Sequence, residues 1–147
     1  MDKKKLRKCL SLFSTGVTSI ISKSSSIYTG ITVNSFSSAS LTPPLVMWCI
    51  DKKSSSLKSF LSIKNDYSIV FLSNSQRSIS NKLASSDNNF NKIFYNEIIK
   101  KSLGFINCKI FRKYNIGDHY IIVHKVIKFE ILSKKKPLVF FNSKYVN

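Results

Sequence analysis

Residues 103 to 132 read "LGFINCKIFRKYNIGDHYIIVHKVIKFEIL" and have the pattern of a long β-hairpin. Two runs rich in Ile, Val, Phe and Tyr alternate with polar residues, and the four residues "NIGD" at 115 to 118 separate them. Asn, Gly and Asp are residues that tight turns between antiparallel strands prefer. The stretch therefore predicts two long antiparallel strands in the last third of the chain.

Shorter strands are indicated along the rest of the chain. The candidate strands are "VTSII" at 17–21, "IYTGITV" at 27–33, "LVMWCI" at 45–50, "YSIVFLS" at 67–73 and "PLVFFNSKYVN" at 137–147. Six or more strands with a few short helices favour a mainly β fold, a closed antiparallel barrel, because closure removes exposed sheet edges. No Pro- or Gly-rich linker divides the chain, so a single domain over residues 1–147 is predicted.

Short helices are predicted between these strands. Apolar residues over 6–13 fall on one helical face, with Asp2 as the N-cap and Gly16 as the end of the helix. A second amphipathic helix is predicted to open at Ser54, with a serine among Ser54, Ser55 and Ser56 as its N-cap. A third helix is predicted over 75–85, and a loop with a helical piece over 86–102.

The chain has a formal net charge of +17, from 24 basic and 7 acidic residues. Such a balance suggests a nucleic-acid or anionic-surface partner, because clustered cations release counterions from phosphates. However, only Arg7, Arg77 and Arg112 carry the forked guanidinium that bases and phosphates favour. The composition is also rich in Lys, Asn and Ile, which is typical of codons that drift towards A and T. A solvated lysine surface is therefore favoured over a nucleic-acid partner.

Cysteine and histidine spacing argues against disulfides and metals. Cys9, Cys49 and Cys108 are far apart and form no CxxC pair, so a reducing cytoplasm is expected. His119 and His124 are five apart on a predicted strand, so they face opposite sides and cannot share a metal ion. No apolar run is long enough to span a membrane. The P-loop, GxGxxG, HExxH and GxSxG motifs are all missing, which excludes the enzyme classes that depend on them.

Residues 30 to 56, "GITVNSFSSASLTPPLVMWCIDKKSSS", place many small polar side chains between two strands. Such groups need partners when buried, and a polar ligand would supply many. The start of the helix predicted after this stretch presents free amide groups that favour an anion, beside Lys52 and Lys53. A polar turn before an ordinary capped helix is the alternative interpretation. The candidate ligand-binding residues of the first part are Thr32, Asn34, Ser35, Ser37, Ser38 and Ser40.

Several segments, in order along nearly the whole chain, resemble the flavin reductase family. The segments are "FSTGVTSI" at 13–20, residues 30–60, "SIVFLSNSQRSISNKLAS" at 68–85, "GDHYIIVHKV" at 117–126 and "PLVFFNSKY" at 137–145. The block over 30–60 is the most specific of them. The chain departs from the family pattern at His124, where a glycine is usual, and at "NKLAS", where Phe-Ala is commoner.

The resemblance implies an FMN-binding split barrel, usually a homodimer, that binds FMN or FAD and takes a hydride from NADH or NADPH. Such reductases serve two-component monooxygenases as partners. In the family, the segment matching Thr32 to Ser40 wraps the flavin, and the segment matching Asp51 to Ser56 lies at its phosphate. The implied flavin-binding residues are Thr32, Asn34, Ser35, Ser38, Ser40, Asp51, Lys53 and Ser54, and the implied nicotinamide-side residues are His119 and Tyr145. No side chain is expected to act as an acid or base.

Two alternatives to a flavin reductase stay open at the level of sequence. One is a basic binding module, for nucleic acid or an anionic surface, that keeps the barrel and lacks catalysis. The other is a flavin-binding electron-transfer protein without pyridine-nucleotide activity. A protein that takes up no flavin would favour the first alternative. A flavin-loaded protein that neither NADH nor NADPH reduces would favour the second.

Overall fold

A computed structural model describes all residues from 1 to 147. The helices are α1 (Lys3–Leu10), α2 (Leu57–Leu61), α3 (Arg77–Leu83) and α4 (Lys92–Lys101), with a 3₁₀ turn over Asn74–Gln76 before α3. The strands are β1 (Thr15–Gly16), β2 (Thr18–Ser24), β3 (Ile27–Val33), β4 (Ser37–Leu41), β5 (Pro44–Asp51), β6 (Asp66–Phe71), β7 (Asn89–Phe90), β8 (Gly104–Ile116), β9 (His119–Ile131), β10 (Val139–Phe141) and β11 (Lys144–Tyr145). None of the helices is long and apolar enough to cross a membrane.

Eight strands form one antiparallel sheet in the order β4-β5-β9-β8-β6-β2-β3-β7, and three short strands form a second sheet, β1-β10-β11. The prediction of a mainly β, antiparallel architecture is confirmed. The main-chain hydrogen bonds do not close the large sheet into a ring, because β4 and β7 remain its edges. The segment at 137–147, predicted as one strand, forms the two short strands β10 and β11, since Asn142 and Ser143 adopt the positive φ angles of a tight turn.

The hairpin predicted from 103–132 is confirmed as β8 and β9, each 13 residues long. Ile116 pairs with His119, so Gly117 and Asp118 form a two-residue turn. Gly117 has a φ of +55°, a conformation that glycine adopts at no steric cost. The pairing shifts between Asn107 and Cys108 and again between Ile110 and Arg112. Such bulges bend a strand and help a sheet to curl.

Two apolar clusters lie on opposite faces of the large sheet. Ile20 and Ile21 are neighbours in β2 and belong to different clusters, because successive side chains of a strand point to opposite faces. The inner cluster consists of Ile20, Val46, Trp48, Ile50, Phe60, Tyr67, Ile69, Cys108 and Ile122. The outer cluster contains Ile79, Leu83 and Ile98 from α3 and α4, which confirms the predicted inward face of the helix over 75–85. These helices therefore cover the outer face of the sheet.

The predicted N-cap of the first helix is confirmed, because the Asp2 carboxylate accepts hydrogen bonds from the amides of Lys4 and Lys5 at 2.9 and 3.1 Å. The predicted end of this helix is wrong. The helix ends at Leu10, and Gly16 instead pairs with Val139 as part of β1. No residue of α1 is buried within this chain.

One other helix boundary differs from the predicted one. The helix after β5 begins at Leu57 with Ser56 at its N-cap, and Ser54 lies before it in a turn, where its amide donates to the carbonyl of Asp51 at 3.0 Å. The prediction of a loop with a helical piece over 86–102 is confirmed, because the side chain of Asn91 accepts from the amide of Phe94 and caps the ten-residue helix α4.

Candidate functional site

Polar residues at the end of β3 and just after it are hydrogen-bonded to α3 and β5. The Thr32 hydroxyl donates to the carbonyl of Ser80 in α3 at 2.6 Å. The Ser35 hydroxyl accepts from the amide of Cys49 at 3.0 Å and donates to its carbonyl at 3.3 Å, in the middle of β5. Main-chain groups therefore already satisfy the Ser35 hydroxyl, whereas Asn34 is exposed and makes no side-chain hydrogen bond.

Ser38 and Ser40 lie in β4, where they pair with Val46 and Leu45 at the beginning of β5. Asp51 is at the other end of β5. At about 3.3 Å per residue, the six steps along the strand from Leu45 to Asp51 span about 20 Å. The structure thus separates these two serines from the predicted phosphate site along the length of one strand.

The predicted phosphate site is a tight turn after β5. The Asp51 carboxylate accepts from the amide of Lys53 at 2.8 Å, and the Ser54 hydroxyl accepts from the amide of Ser56 at 3.4 Å. The Asp51 carboxylate is therefore engaged by the main chain, while the Lys53 side chain is exposed and forms no ion pair. An open depression of about 680 Å³ lies beside this turn, lined by Ser54, Ser55, Leu57, Lys58, Leu61 and Ser62.

Asn88 is a member of this region that the sequence did not reveal. Its side-chain NH₂ group donates to the hydroxyl of Ser56 at 2.6 Å. Its main-chain carbonyl accepts from the main-chain amide of Gly30 at 2.9 Å. Both Asn88 and Ser56 are buried. Asn88 therefore joins the serine turn before α2 to strand β3, and it lies in the Asn-rich stretch predicted as a loop with a helical piece.

His119 lies next to the same turn. It pairs with Asp51 across β5 and β9, and the ammonium of Lys52 donates to the carbonyl of Gly117 at 2.7 Å. The His119 Nδ1 is 2.7 Å from the Asp118 carboxylate, and this hydrogen bond lowers the pKa of Asp118. The tip of the hairpin thus lies against the predicted phosphate site.

Tyr145 is held by α3. Its hydroxyl lies 2.6 Å from the hydroxyl of Ser80, and the guanidinium of Arg77 lies 5.4 Å from the centre of its ring. Because the carbonyl of Ser80 also binds Thr32, Ser80 connects a predicted flavin-side residue with a predicted nicotinamide-side residue. No hydrogen bond or ion pair joins Tyr145 to His119. Ser80 was missed because only the apolar positions of its helix carried a sequence signal.

A cavity of about 330 Å³ lies beside Asn34, within the size range of small-molecule sites. Its lining includes the apolar side chains of Phe36, Phe71 and Leu138 and also Thr15. The Thr15 hydroxyl is buried and has no hydrogen-bond partner. Apolar walls with a few unsatisfied polar groups suit a flat aromatic ring with polar edges, so the residues present fit a flavin.

Residues 10–147 match the model of the flavin reductase like domain. The chain belongs to this family. This flavin reductase-like chain is 29% identical over 154 positions to the reductase subunit HsaB of a flavin-dependent monooxygenase from Rhodococcus jostii, covering 99% of this chain and 77% of the relative. It is 32% identical to the FMN reductase (NADH) SmoA of Agrobacterium fabrum, covering 86% and 76% of the two chains.

Solved structures of flavin reductases have the same fold. The flavin reductase PheA2 superposes with a TM-score of 0.85 at 28% identity, covering 99% of this chain and 97% of that structure. BorF, the flavin reductase component of a bacterial two-component tryptophan halogenase, gives a TM-score of 0.88 at 24% identity, with the same coverage. The prediction of a split barrel is therefore confirmed.

The departure from the family pattern at His124 has a structural role in this flavin reductase-like chain. His124 is fully buried in the barrel, and its Nε2 accepts from the indole N–H of Trp48 at 2.9 Å. The ring of Tyr67 contacts it edge-on, with centroids 4.8 Å apart. Burial lowers the pKa of His124 to about 4. The residue is thus a neutral member of the barrel core, while His119 lies at the hairpin tip.

Proposed function

We propose that this chain is an NAD(P)H-dependent flavin reductase, which passes a hydride from NADH or NADPH to FMN or FAD and supplies the reduced flavin to a monooxygenase. The observation that carries the proposal is the family match over residues 10–147. Its relatives include a monooxygenase reductase subunit and an NADH-dependent FMN reductase, which supports the same class of reaction. We also propose that residues 1–147 form a single domain.

The chain contributes binding and orientation to this reaction. A bound flavin supplies the hydride acceptor, so the chemistry of the transfer belongs to the two cofactors. Side chains would hold the two reacting groups close together, which would convert a bimolecular encounter into a reaction between fixed groups. No side chain is assigned a proton-transfer role, and we propose no catalytic acid or base.

For the flavin, we assign the ring to the region of Thr32 and Asn34 and the phosphate to the turn over 51–54. The cavity beside Asn34 and the exposed, unpaired ammonium of Lys53 support this assignment. Asp51 shapes the turn through its bond to the Lys53 amide, and Ser54 adds a hydroxyl. Ser35 acts mainly by fixing the loop, since its hydroxyl is satisfied by Cys49. Ser38 and Ser40 lie about 20 Å from this turn along β5, farther than a ribityl chain reaches from its phosphate, so we assign them no flavin contact.

For the nicotinamide side, we assign His119 and Tyr145. His119 lies at the edge of the phosphate turn, where its imidazole is partly exposed, and Tyr145 is partly exposed beside α3. Both side chains are fixed by a neighbour, since Asp118 binds His119 and Ser80 binds Tyr145. A fixed and accessible side chain can bind a nucleotide with little loss of conformational entropy.

We also propose a homodimer. Phe129 and Ile131 point to one face of β9 and are 69% and 83% exposed in the single chain. They line a cavity of about 360 Å³ together with Phe71 and Leu103. Apolar surface of this kind is buried in stable interfaces. A monomeric mass at micromolar concentration by light scattering would contradict the dimer.

The proposed location is a reducing cytoplasm. The thiols of Cys9, Cys49 and Cys108 are all free, and burial raises the pKa of Cys108 to about 12. A thiol with such a pKa is unreactive at neutral pH, which suits a structural cysteine. Alkylation of the protein directly after cell lysis tests this, because three modifiable thiols in the denatured chain are expected.

The decisive experiment is flavin loading followed by anaerobic reduction. Protein incubated with FMN or FAD and then desalted should retain the flavin absorbance band, and NADH or NADPH should bleach that band. A loaded protein that neither nucleotide bleaches would instead be an electron-transfer protein. A protein that takes up no flavin yet binds RNA or DNA at physiological salt would be a basic binding module.

A further inference from the structure

Arg77 is an exposed cation at the first position of α3. Its guanidinium lies over the ring of Tyr145 at 5.4 Å, and one terminal nitrogen donates to the carbonyl of Asn147 at 3.0 Å. Arg77 takes part in none of the ion pairs between side chains, and Asn147 is its one hydrogen-bond partner. Most of its N–H donors are therefore free to bind another group.

Arg77 belongs to the same cluster as two of the proposed site residues. Ser80 follows it by three positions in α3, and residues three apart lie on the same face of a helix. Ser80 contacts both the Tyr145 hydroxyl and the Thr32 hydroxyl at 2.6 Å. The contacts between Thr32, Ser80, Tyr145 and Arg77 therefore form one continuous chain from β3 to an exposed guanidinium.

We propose that Arg77 binds a phosphate group of a dinucleotide at this site, and this rests on the proposed flavin reductase function. A guanidinium presents paired N–H donors that match two oxygens of one phosphate. The contacts with the Tyr145 ring and the Asn147 carbonyl restrict the guanidinium in advance, so less freedom is lost when the phosphate binds. The phosphate comes either from the pyridine nucleotide or from the diphosphate of FAD.

Arg112 provides a matched control. Its guanidinium also lies over an aromatic ring, 5.5 Å from the centre of Phe111, and it is also exposed. Arg112 lies in β8, and no hydrogen bond or ring contact joins it to Thr32, Ser80 or Tyr145. Removing its charge changes the net charge of the protein by the same amount as removing the charge of Arg77.

The test compares the wild type, Arg77→Gln, Arg77→Lys and Arg112→Gln, with thermal melting to confirm that each variant is folded. Dissociation constants for FAD and FMN are measured on flavin-free protein. Those for NAD⁺ and NADP⁺ are measured on oxidised, FMN-loaded protein by the perturbation of the flavin spectrum.

We expect Arg77→Gln to weaken the binding of at least one dinucleotide by about tenfold, the effect of one charge-assisted contact. Arg77→Lys should lose less, and Arg112→Gln should stay within about twofold of the wild type.

The pattern of losses identifies the source of the phosphate. A loss for FAD but not for FMN assigns Arg77 to the FAD diphosphate. Equal losses for NAD⁺ and NADP⁺ assign it to the diphosphate of the pyridine nucleotide, and a loss confined to NADP⁺ assigns it to the 2′-phosphate. The proposal is overturned if every affinity of Arg77→Gln stays within about twofold of the wild type, or if Arg112→Gln shows the same losses. A wild type that binds no flavin would reject the proposed function itself.

Discussion

The hydroxyls of Tyr145 and Ser80 lie 2.6 Å apart, although 65 residues separate them in sequence. This contact joins the short second sheet to α3, and the carbonyl of the same serine accepts from Thr32. A side chain on the proposed nicotinamide side and one on the proposed flavin side therefore share a single support. The position of Tyr145 therefore depends on α3, which also packs Ile79 and Leu83 into the outer cluster.

Removing the Ser80 hydroxyl should affect the nucleotide more than the flavin. Ser80→Ala deletes the partner of Tyr145 but keeps the backbone carbonyl that binds Thr32. We expect a higher KM for NADH or NADPH, an unchanged FMN affinity, and a loss of about 1 kcal/mol in the free energy of unfolding. Steady-state kinetics, FMN titration and denaturant unfolding measure the three quantities.

The control variant is Ser78→Ala, at an exposed position on the same helix. A flavin affinity that falls as much as the nucleotide affinity would contradict the expected separation.

Lys53 should contribute to flavin binding through the phosphate alone. Lys53→Ala is expected to weaken FMN binding by about 1 to 3 kcal/mol, the range for a lost charge-assisted contact to an anion. Riboflavin has no phosphate, so its affinity should change little. Lys100→Ala removes another exposed lysine, on α4, and should leave both affinities unchanged. Equal losses for FMN and riboflavin in parallel titrations would remove Lys53 from the phosphate site.

The sheet was largely predictable because its signal is local. Alternation with a period of two identified β8 and β9, and it also explains why Ile20 and Ile21 belong to different cores. The turn at Gly117 was visible for the same reason, since the residues that form it are adjacent.

The contacts that build the site were not predictable from local patterns. Asn88 binds Ser56 across 32 residues, and Thr32 binds Ser80 across 48. A polar side chain in a loop carries the same sequence signal whether it is solvated or buried against a distant partner. The beginning of α2 was misplaced because three consecutive serines are equally good N-caps, and the Asp51 turn uses Ser54 for itself.

His124 should make stability depend on pH. Its pKa is lowered from 6.5 to about 4 by burial, so the unfolded chain binds a proton at a higher pH than the folded chain does. Stability is therefore full above about pH 6.5 and falls as the pH drops towards 4, with a loss of about 2 kcal/mol between pH 7 and pH 5. Denaturant unfolding at several pH values measures this loss.

The matched variant for that measurement is His124→Gln, which keeps an acceptor for the Trp48 indole and has no titrating group. Its stability should vary much less between pH 7 and pH 5 than that of the wild type. The same pH dependence in both proteins would assign the acid sensitivity to other groups. Because Asp and Glu side chains titrate mainly below pH 5, they contribute little to the difference between the two proteins.

His119 should act in binding and not in proton transfer. It begins β9 beside the phosphate turn, and its Nδ1 is engaged by Asp118, so its imidazole is fixed and its Nε2 makes no hydrogen bond within the protein. His119→Ala should keep its flavin and raise the nucleotide concentration for half-maximal reduction, while the limiting reduction rate stays within about twofold of the wild type, the pattern of lost uniform binding. Stopped-flow reduction across a range of NADH and NADPH concentrations separates the two quantities.

Asp118→Asn is the matched variant for this measurement. It keeps the imidazole of His119 but removes the charge that holds it, so it should show a smaller effect of the same kind. An unchanged half-saturating concentration with a limiting rate about a hundredfold lower would be the signature of a lost acid or base, and would assign His119 to proton transfer.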